Sequence, residues 1–260
     1  YDGIINEIKW YEFLEFLLFF PTLSSGPIDR SRRFSQDYYK IYTGKEYSEL
    51  LSNGIVKIMW GLLYKLPLSG TAMYIMNTYM INKYDPIHII GYAYSYGLYM
   101  FFDFAGYSLM AVGASNVLGI ETPMNFNIPF ISVDIKDFWN RWHITLSTWL
   151  RDFVFSRIVM RFMRKKIFKK RLTTAMVAYM INMTFMGFWH GITLNYIAYG
   201  FYHGILMAAF EWYQKKSKFY KKNKNKTWYK VISWIITMHL VMFGFLIFSG
   251  KMSEWARKLI

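Results

Sequence analysis

The chain has 260 residues, 54% hydrophobic, 21% aromatic and only 18% charged, against about 25% charged in an average soluble domain. This apolar content excludes intrinsic disorder, and the absence of cysteine excludes a disulfide scaffold, an Fe–S protein and Cys-ligated zinc. The net charge of +15 fits nucleic acid, anionic lipid or an acidic protein partner. Two clusters stand out, one over residues 161–171 and one over residues 215–230. Each abuts a long apolar run, as cytoplasmic loops of membrane proteins do. No nucleic-acid-binding motif accompanies the charge, so nucleic acid is not the expected partner. The reading at this level is an integral membrane protein.

The chain opens on Tyr1-Asp2-Gly3 rather than Met and reads as starting part-way into a longer protein. Residues 6–20 are apolar but interrupted by Glu7, Lys9, Glu12 and Glu15 and end at Pro21. This predicts a re-entrant or interfacial helix. Residues 24–48 are polar and read as a cytoplasmic-type loop. Residues 50–81 follow a helical pattern with Pro67 as the expected kink. Residues 87–118 contain Gly at 91, 97, 106 and 113 and predict one or two close-packed membrane helices. Pro123 and Pro129 make residues 119–133 an extended loop. Over 134–163, charged residues alternate with Phe and Trp at helical spacing, which predicts one amphipathic helix. Residues 172–190 and 192–212 are apolar segments joined at Gly191, and 231–249 is a third. The basic clusters flank the first two, so that pair goes out and returns with both clusters on the cytoplasmic side.

Five histidines are candidates for chemistry: His88, His143, His190, His203 and His239. His190 ends an apolar segment between Gly187 and Gly191. An imidazole there suits proton transfer near neutral pH, and a structural histidine bonded to a backbone carbonyl fits the same pattern. His143 sits on the amphipathic stretch, where a headgroup-level role competes with a functional one. Asp103, surrounded by Phe101, Phe102 and Phe104, needs an Arg, a His or backbone donors as partner. A metal site through His143, His190 and His203 lacks any ligand-type spacing. No nucleophile elbow, dinucleotide fingerprint or phosphate loop is present.

Four segments together resemble the membrane-bound O-acyltransferase family. They are residues 20–30 (Phe20-Pro21 through Asp29-Arg30), Phe102-Asp103-Phe104-Ala105-Gly106-Tyr107-Ser108, Asp137-Phe138-Trp139-Asn140-Arg141-Trp142-His143, and Gly187-Phe188-Trp189-His190-Gly191. The Ser24–Arg30 and Glu121–Asn127 stretches favour the branch serving teichoic acid D-alanylation in Gram-positive bacteria over the alginate O-acetyltransferase branch. The resemblance implies an all-α, polytopic cell-membrane protein. It would be a ring of tilted transmembrane helices, with re-entrant and interfacial helices, around a central tunnel. Residues 1–260 would form a single family domain lacking the family's N-terminal spans. The family's Trp-His-Gly histidine maps to His190, at the tunnel neck, and its Arg-Trp-His histidine to His143. The charge pattern instead puts His190 at the end of the hairpin opposite the basic clusters. His203 and His239 lie outside the motifs. The implied activity is acyl transfer of D-alanine toward lipoteichoic acid, from a phosphopantetheine thioester on an acidic carrier protein. A membrane-anchored transfer partner of the same pathway is implied as well, and no cofactor bound by the chain itself. Alternatives are O-acetylation of an exopolysaccharide and a non-catalytic transporter or scaffold.

Overall fold

The computed structural model describes residues 9–23, 26–81, 83 and 85–259, with backbone alone over 256–259. All regular structure among these residues is helical. The helices in chain order are α1 (Trp10–Leu17), α2 (Phe20–Leu23), α3 (Ser31–Tyr38), α4 (Gly44–Leu63), α5 (Ser69–Ile75), α6 (Pro86–Val117), α7 (Ile135–Arg141), α8 (Ile144–Leu150), α9 (Ser156–Arg164), α10 (Arg171–His190), α11 (Leu194–Lys216), α12 (Lys218–Asn223), α13 (Thr227–Phe248) and α14 (Lys251–Leu259). Wider π-turns occupy Tyr64–Leu68, Met76–Met80 and Arg151–Phe155.

Several elements differ from the sequence expectation. The helix expected over 6–20 is α1, its first residues lying outside the described part. Pro21 does not end a helix but sits in the first turn of α2, where its missing N–H costs nothing. The expected loop over 24–48 contains α3 and the first turn of α4. α3 buries Phe34 against Phe16, Phe19 and Tyr38 and carries ion pairs at helical spacing. Pro67 falls inside the π-turn Tyr64–Leu68, a widening that accommodates the proline ring and the hydrogen bond it removes. Residues 86–117 form one unbroken helix of 32 residues. The amphipathic stretch is not one helix but α7, α8 and α9, interrupted at Trp142–His143 and by the π-turn Arg151–Phe155.

The chain forms two compact units. The first comprises residues 1–71 and 99–125, the second residues 72–98 and 126–260. In the first unit, α4 meets the second half of α6 backbone to backbone. A Cβ on Gly54 would lie 2.8 Å from the Gly113 carbonyl oxygen, and one on Gly106 would lie 2.8 Å from that of Gly61. Such small-residue contacts let membrane helices approach closely. Several polar groups inside this unit are paired, although Thr122 Oγ1 is buried without a partner: Lys57 Nζ donates to Asn116 Oδ1 at 2.6 Å, and Lys65 pairs with Asp103. Arg33 pairs with Asp29 and with Asp37 and donates to the Glu121 carbonyl. Burial opposes the Arg33 charge, yet the two carboxylates outweigh it and hold its pKa above the ordinary arginine value. Outward, α4 displays Ile55, Val56, Met59, Trp60 and Leu63. Apolar outside with polar groups paired inside is the pattern of a protein surrounded by lipid.

In the second unit, α10 and α11 form an antiparallel hairpin, with α7 and α13 against α11. Arg171 opens α10, Lys215 and Lys216 close α11, and the connection at residues 191–193 lies at the other end. The two basic clusters therefore share one end of the hairpin, as their placement in the sequence requires. Among the described residues one helix, α13, is long and apolar enough to cross a membrane by itself. α10 and α11 are as long, but Thr, Asn, Tyr and His punctuate them.

Candidate active site

His190 is the last residue of α10, and its position follows from the glycines around it. A Cβ on Gly187 would sit 2.4 Å from the Tyr196 carbonyl oxygen, and one on Gly200 would sit 2.4 Å from that of Met183. The two helices therefore touch through their backbones beside the imidazole. Gly191 ends α10 at φ 156°, ψ 164°, a conformation open essentially to glycine alone. The half-buried ring is caged by aromatics, its centroid 4.9 Å from that of Trp189, 5.2 Å from Phe248, 6.2 Å from Tyr196 and 6.4 Å from Tyr199. Asn195 donates to the Phe248 carbonyl at 2.8 Å, tying the start of α11 to the end of α13 around this cage.

His143 sits in the break between α7 and α8 with φ 44°, ψ 52°, a left-handed conformation uncommon for a side chain of this size. The Asp-Phe-Trp-Asn-Arg-Trp-His motif builds that break. Asp134 caps α7 by accepting from the Lys136 and Asp137 amides at 2.9 Å. Asp137 accepts from Arg141 Nε at 2.7 Å, and the Asn127 N–H donates to the Arg141 carbonyl at 3.0 Å. Phe138 and Trp142 stack at 5.5 Å and both pack on Phe245. The result is a buried His143 with its ring 6.0 Å from Trp189. The two motif histidines thus stand against the same indole, Trp189, one from each side of the sequence.

A cavity of about 340 Å³ lies among α7, α8, the π-turn Arg151–Phe155, α10 and α11. Its lining includes Trp139 and Asn140 of the motif, and Met186 and Met183, one and two turns of α10 before His190. Lys136 at its wall pairs with Glu211 and donates to Gln214 at 2.7 Å. Trp139 Nε1 and Asn182 Oδ1, both buried, have no hydrogen-bond partner in the protein. The cavity wall thus carries open polar atoms on Trp139 and Asn182 and reaches Met186, one turn of α10 before His190, whose imidazole is a group suited to moving a proton.

Other candidates fall elsewhere. Asp103 belongs to the first unit and takes Lys65 as its partner, rather than the Arg, His or backbone donors expected from sequence. His239 Nδ1 lies 2.8 Å from the Ile235 carbonyl oxygen one turn earlier, a structural arrangement. Among the described residues, His143, His190 and His203 belong to no group of three His, Asp or Glu side chains placed to hold a metal ion. His203, a bystander by sequence, is fully buried in the second unit beside Trp139 and Tyr199. Its lack of motif context hid it, and no sequence signal reports burial of this kind.

The family model described as MBOAT, membrane-bound O-acyltransferase family, matches residues 1–252. The chain belongs to this family. Membership makes it a membrane protein, in keeping with the apolar residues its helices turn outward. It is 47% identical to the teichoic acid D-alanyltransferase of Bacillus subtilis over 257 residues, 96% of this chain and 64% of that protein. It is 44% identical to the teichoic acid D-alanyltransferase of Streptococcus thermophilus, over 99% of this chain and 66% of that protein. A probable alginate O-acetylase of Pseudomonas syringae is 31% identical over 92% of this chain and 43% of that protein. The chain therefore spans just under two thirds of the length of the two D-alanyltransferases.

Proposed function

We propose that this chain carries the transfer site of a membrane acyltransferase that moves D-alanine from a carrier-protein thioester toward lipoteichoic acid. The observation that carries the reading is the convergence of His190 and His143 on Trp189, one helical turn from Met186 in the wall of a cavity. The similarity to proteins named teichoic acid D-alanyltransferase supplies the substrate class. In this reading, His190 is the general base that takes the proton of the acceptor hydroxyl as its oxygen attacks the thioester carbonyl. The C–S bond then breaks, and the thiolate leaves on the phosphopantetheine arm. His143 orients the thioester or polarises its carbonyl. In this reading the thin arm enters along the cavity toward His190, and the basic clusters attract an acidic carrier. Residues 1–260 form one family domain in a multi-pass ring of tilted helices around a tunnel. A membrane-anchored partner of the pathway takes part in the transfer.

The test is transfer of labelled D-alanine from a loaded carrier, in membranes holding the full-length protein. His190→Ala should lower the rate about 10²–10⁴-fold with accumulation in the membrane unchanged, and His239→Ala should leave it intact. Normal transfer by well-accumulated His190→Ala protein overturns the reading in favour of a transporter or scaffold. The 31% identity to a probable alginate O-acetylase supports a second reading, O-acetyl transfer to a polysaccharide. Label delivered from an acetyl donor and not from D-alanyl carrier would select it.

A further inference from the structure

His203 lies mid-way along α11 and is 0% exposed, yet neither Nδ1 nor Nε2 has a hydrogen-bond partner in the protein. Burying an imidazole with both nitrogens open is costly, and an apolar ring in the same place would avoid that desolvation cost. The surroundings are nonetheless shaped to this side chain. α13 presents Gly244 to it, where a Cβ would lie 2.6 Å from Nε2. The rings of Tyr199, Trp139 and Tyr202 enclose it at 4.6, 5.1 and 5.3 Å. The Tyr202 hydroxyl donates to the Leu240 carbonyl at 3.0 Å and is committed there. The Trp139 Nε1–H, also buried, has no acceptor. Two adjacent side chains therefore hold three open polar atoms. Both reach the active-site cage: Trp139 lines the cavity, and Tyr199 touches His203 and His190.

We propose that His203 is a positioning residue for the reaction at His190, its ring nitrogens holding a small hydrogen-bonding group against Trp139. That group is either an internal water or a polar atom of the acyl donor. The costly polar pair is kept because the held group fixes the wall, Tyr199 and Trp139, against which the reacting atoms are aligned. This inference rests on the acyl-transfer reading above.

The experiment uses the full-length protein and measures thermal stability and D-alanyl transfer for His203→Phe and His203→Gln, with His190→Ala and His239→Ala in parallel. Loss of one positioning hydrogen bond corresponds to about a tenfold fall in rate. His203→Phe should melt no earlier than the natural protein and transfer about tenfold more slowly. His203→Gln, which keeps a donor and an acceptor, should recover most of that loss. A fall in kcat at constant KM for the carrier identifies the held group as water, and a rise in KM assigns it to the donor. Normal transfer by folded His203→Phe overturns the proposal. So does early melting of that variant, which makes the histidine a packing element, and so does a folded His203→Gln as slow as His203→Phe. Normal transfer by His190→Ala would refute the acyl-transfer reading itself, whereas a failure confined to His203 leaves that reading standing.

Discussion

The two units differ in how many of their buried polar side chains find partners within the fold. In the first, Lys57 meets Asn116, Lys65 meets Asp103, and Arg33 meets two carboxylates and a carbonyl. Thr122 Oγ1, however, is open there. In the second, Trp139 Nε1, Asn182 Oδ1 and both His203 nitrogens are buried and open; Trp139 and His203 pack against Tyr199 of the histidine cage, and Asn182 lines the cavity. A polar group that serves the fold is paired within the fold, because leaving it open costs free energy. One left open is a candidate for holding a guest, as proposed for His203. The contrast sets charge that holds helices together against polarity with no partner inside the fold.

The contrast can be broken from either side. The largest stability effect is expected from Gly187→Ala, whose added Cβ would push α10 and α11 apart at a backbone contact. A cost of about 1–3 kcal/mol or more should appear as a lower melting temperature in detergent, together with loss of transfer. The paired side comes next. Lys65→Met alone strands the Asp103 carboxylate, while Lys65→Met with Asp103→Leu removes both charges. The single variant should be the less stable by about 1 kcal/mol, since each side chain is roughly a third exposed and the cost falls below that of a fully buried pair. A double-mutant cycle on thermal unfolding measures it, and additive effects would deny that the pair matters. The smallest effect should have the opposite sign. Asn182→Leu removes an unpaired acceptor and should raise stability by up to ~1 kcal/mol while slowing transfer. A destabilised Asn182→Leu protein would return Asn182 to the class of paired, structural residues.

The hairpin α10–α11 is readable from sequence because its ends are marked chemically, by basic residues at 171 and 215–216 and by Gly191 at the turn. The same glycines and the Trp-His-Gly and Arg-Trp-His motifs pointed to His190 and His143. What the sequence did not convey was tertiary in origin. The left-handed backbone at His143 has no local signature, so one amphipathic pattern concealed three helices. α3 is mostly polar, and what holds it becomes visible only in three dimensions: Phe34 buried against Phe16 and Phe19, and Arg33 between Asp29 and Asp37. His203 differs from His239 in nothing the sequence records. One ring lies against a carbonyl of its own helix turn, and the other is fully buried with neither nitrogen hydrogen-bonded to the protein.

The π-turn at Arg151–Phe155 has a consequence for how this protein could change over time. A π-turn takes in one residue more than an α-helical turn needs, and each residue of an α-helix turns the chain by about 100°. Arg157, Arg161 and Arg164 follow it on one face of α9, at spacings that keep them in a row. Losing a single residue within 151–155 would restore an ordinary helix and leave that row facing as it does now, because the wide turn is what absorbs the extra residue. The same loss between Arg157 and Arg161, where no wide turn absorbs it, would swing Arg161 and Arg164 by about 100°. The direction in which this basic face looks is therefore buffered against a change of chain length at 151–155 and sensitive to one within α9.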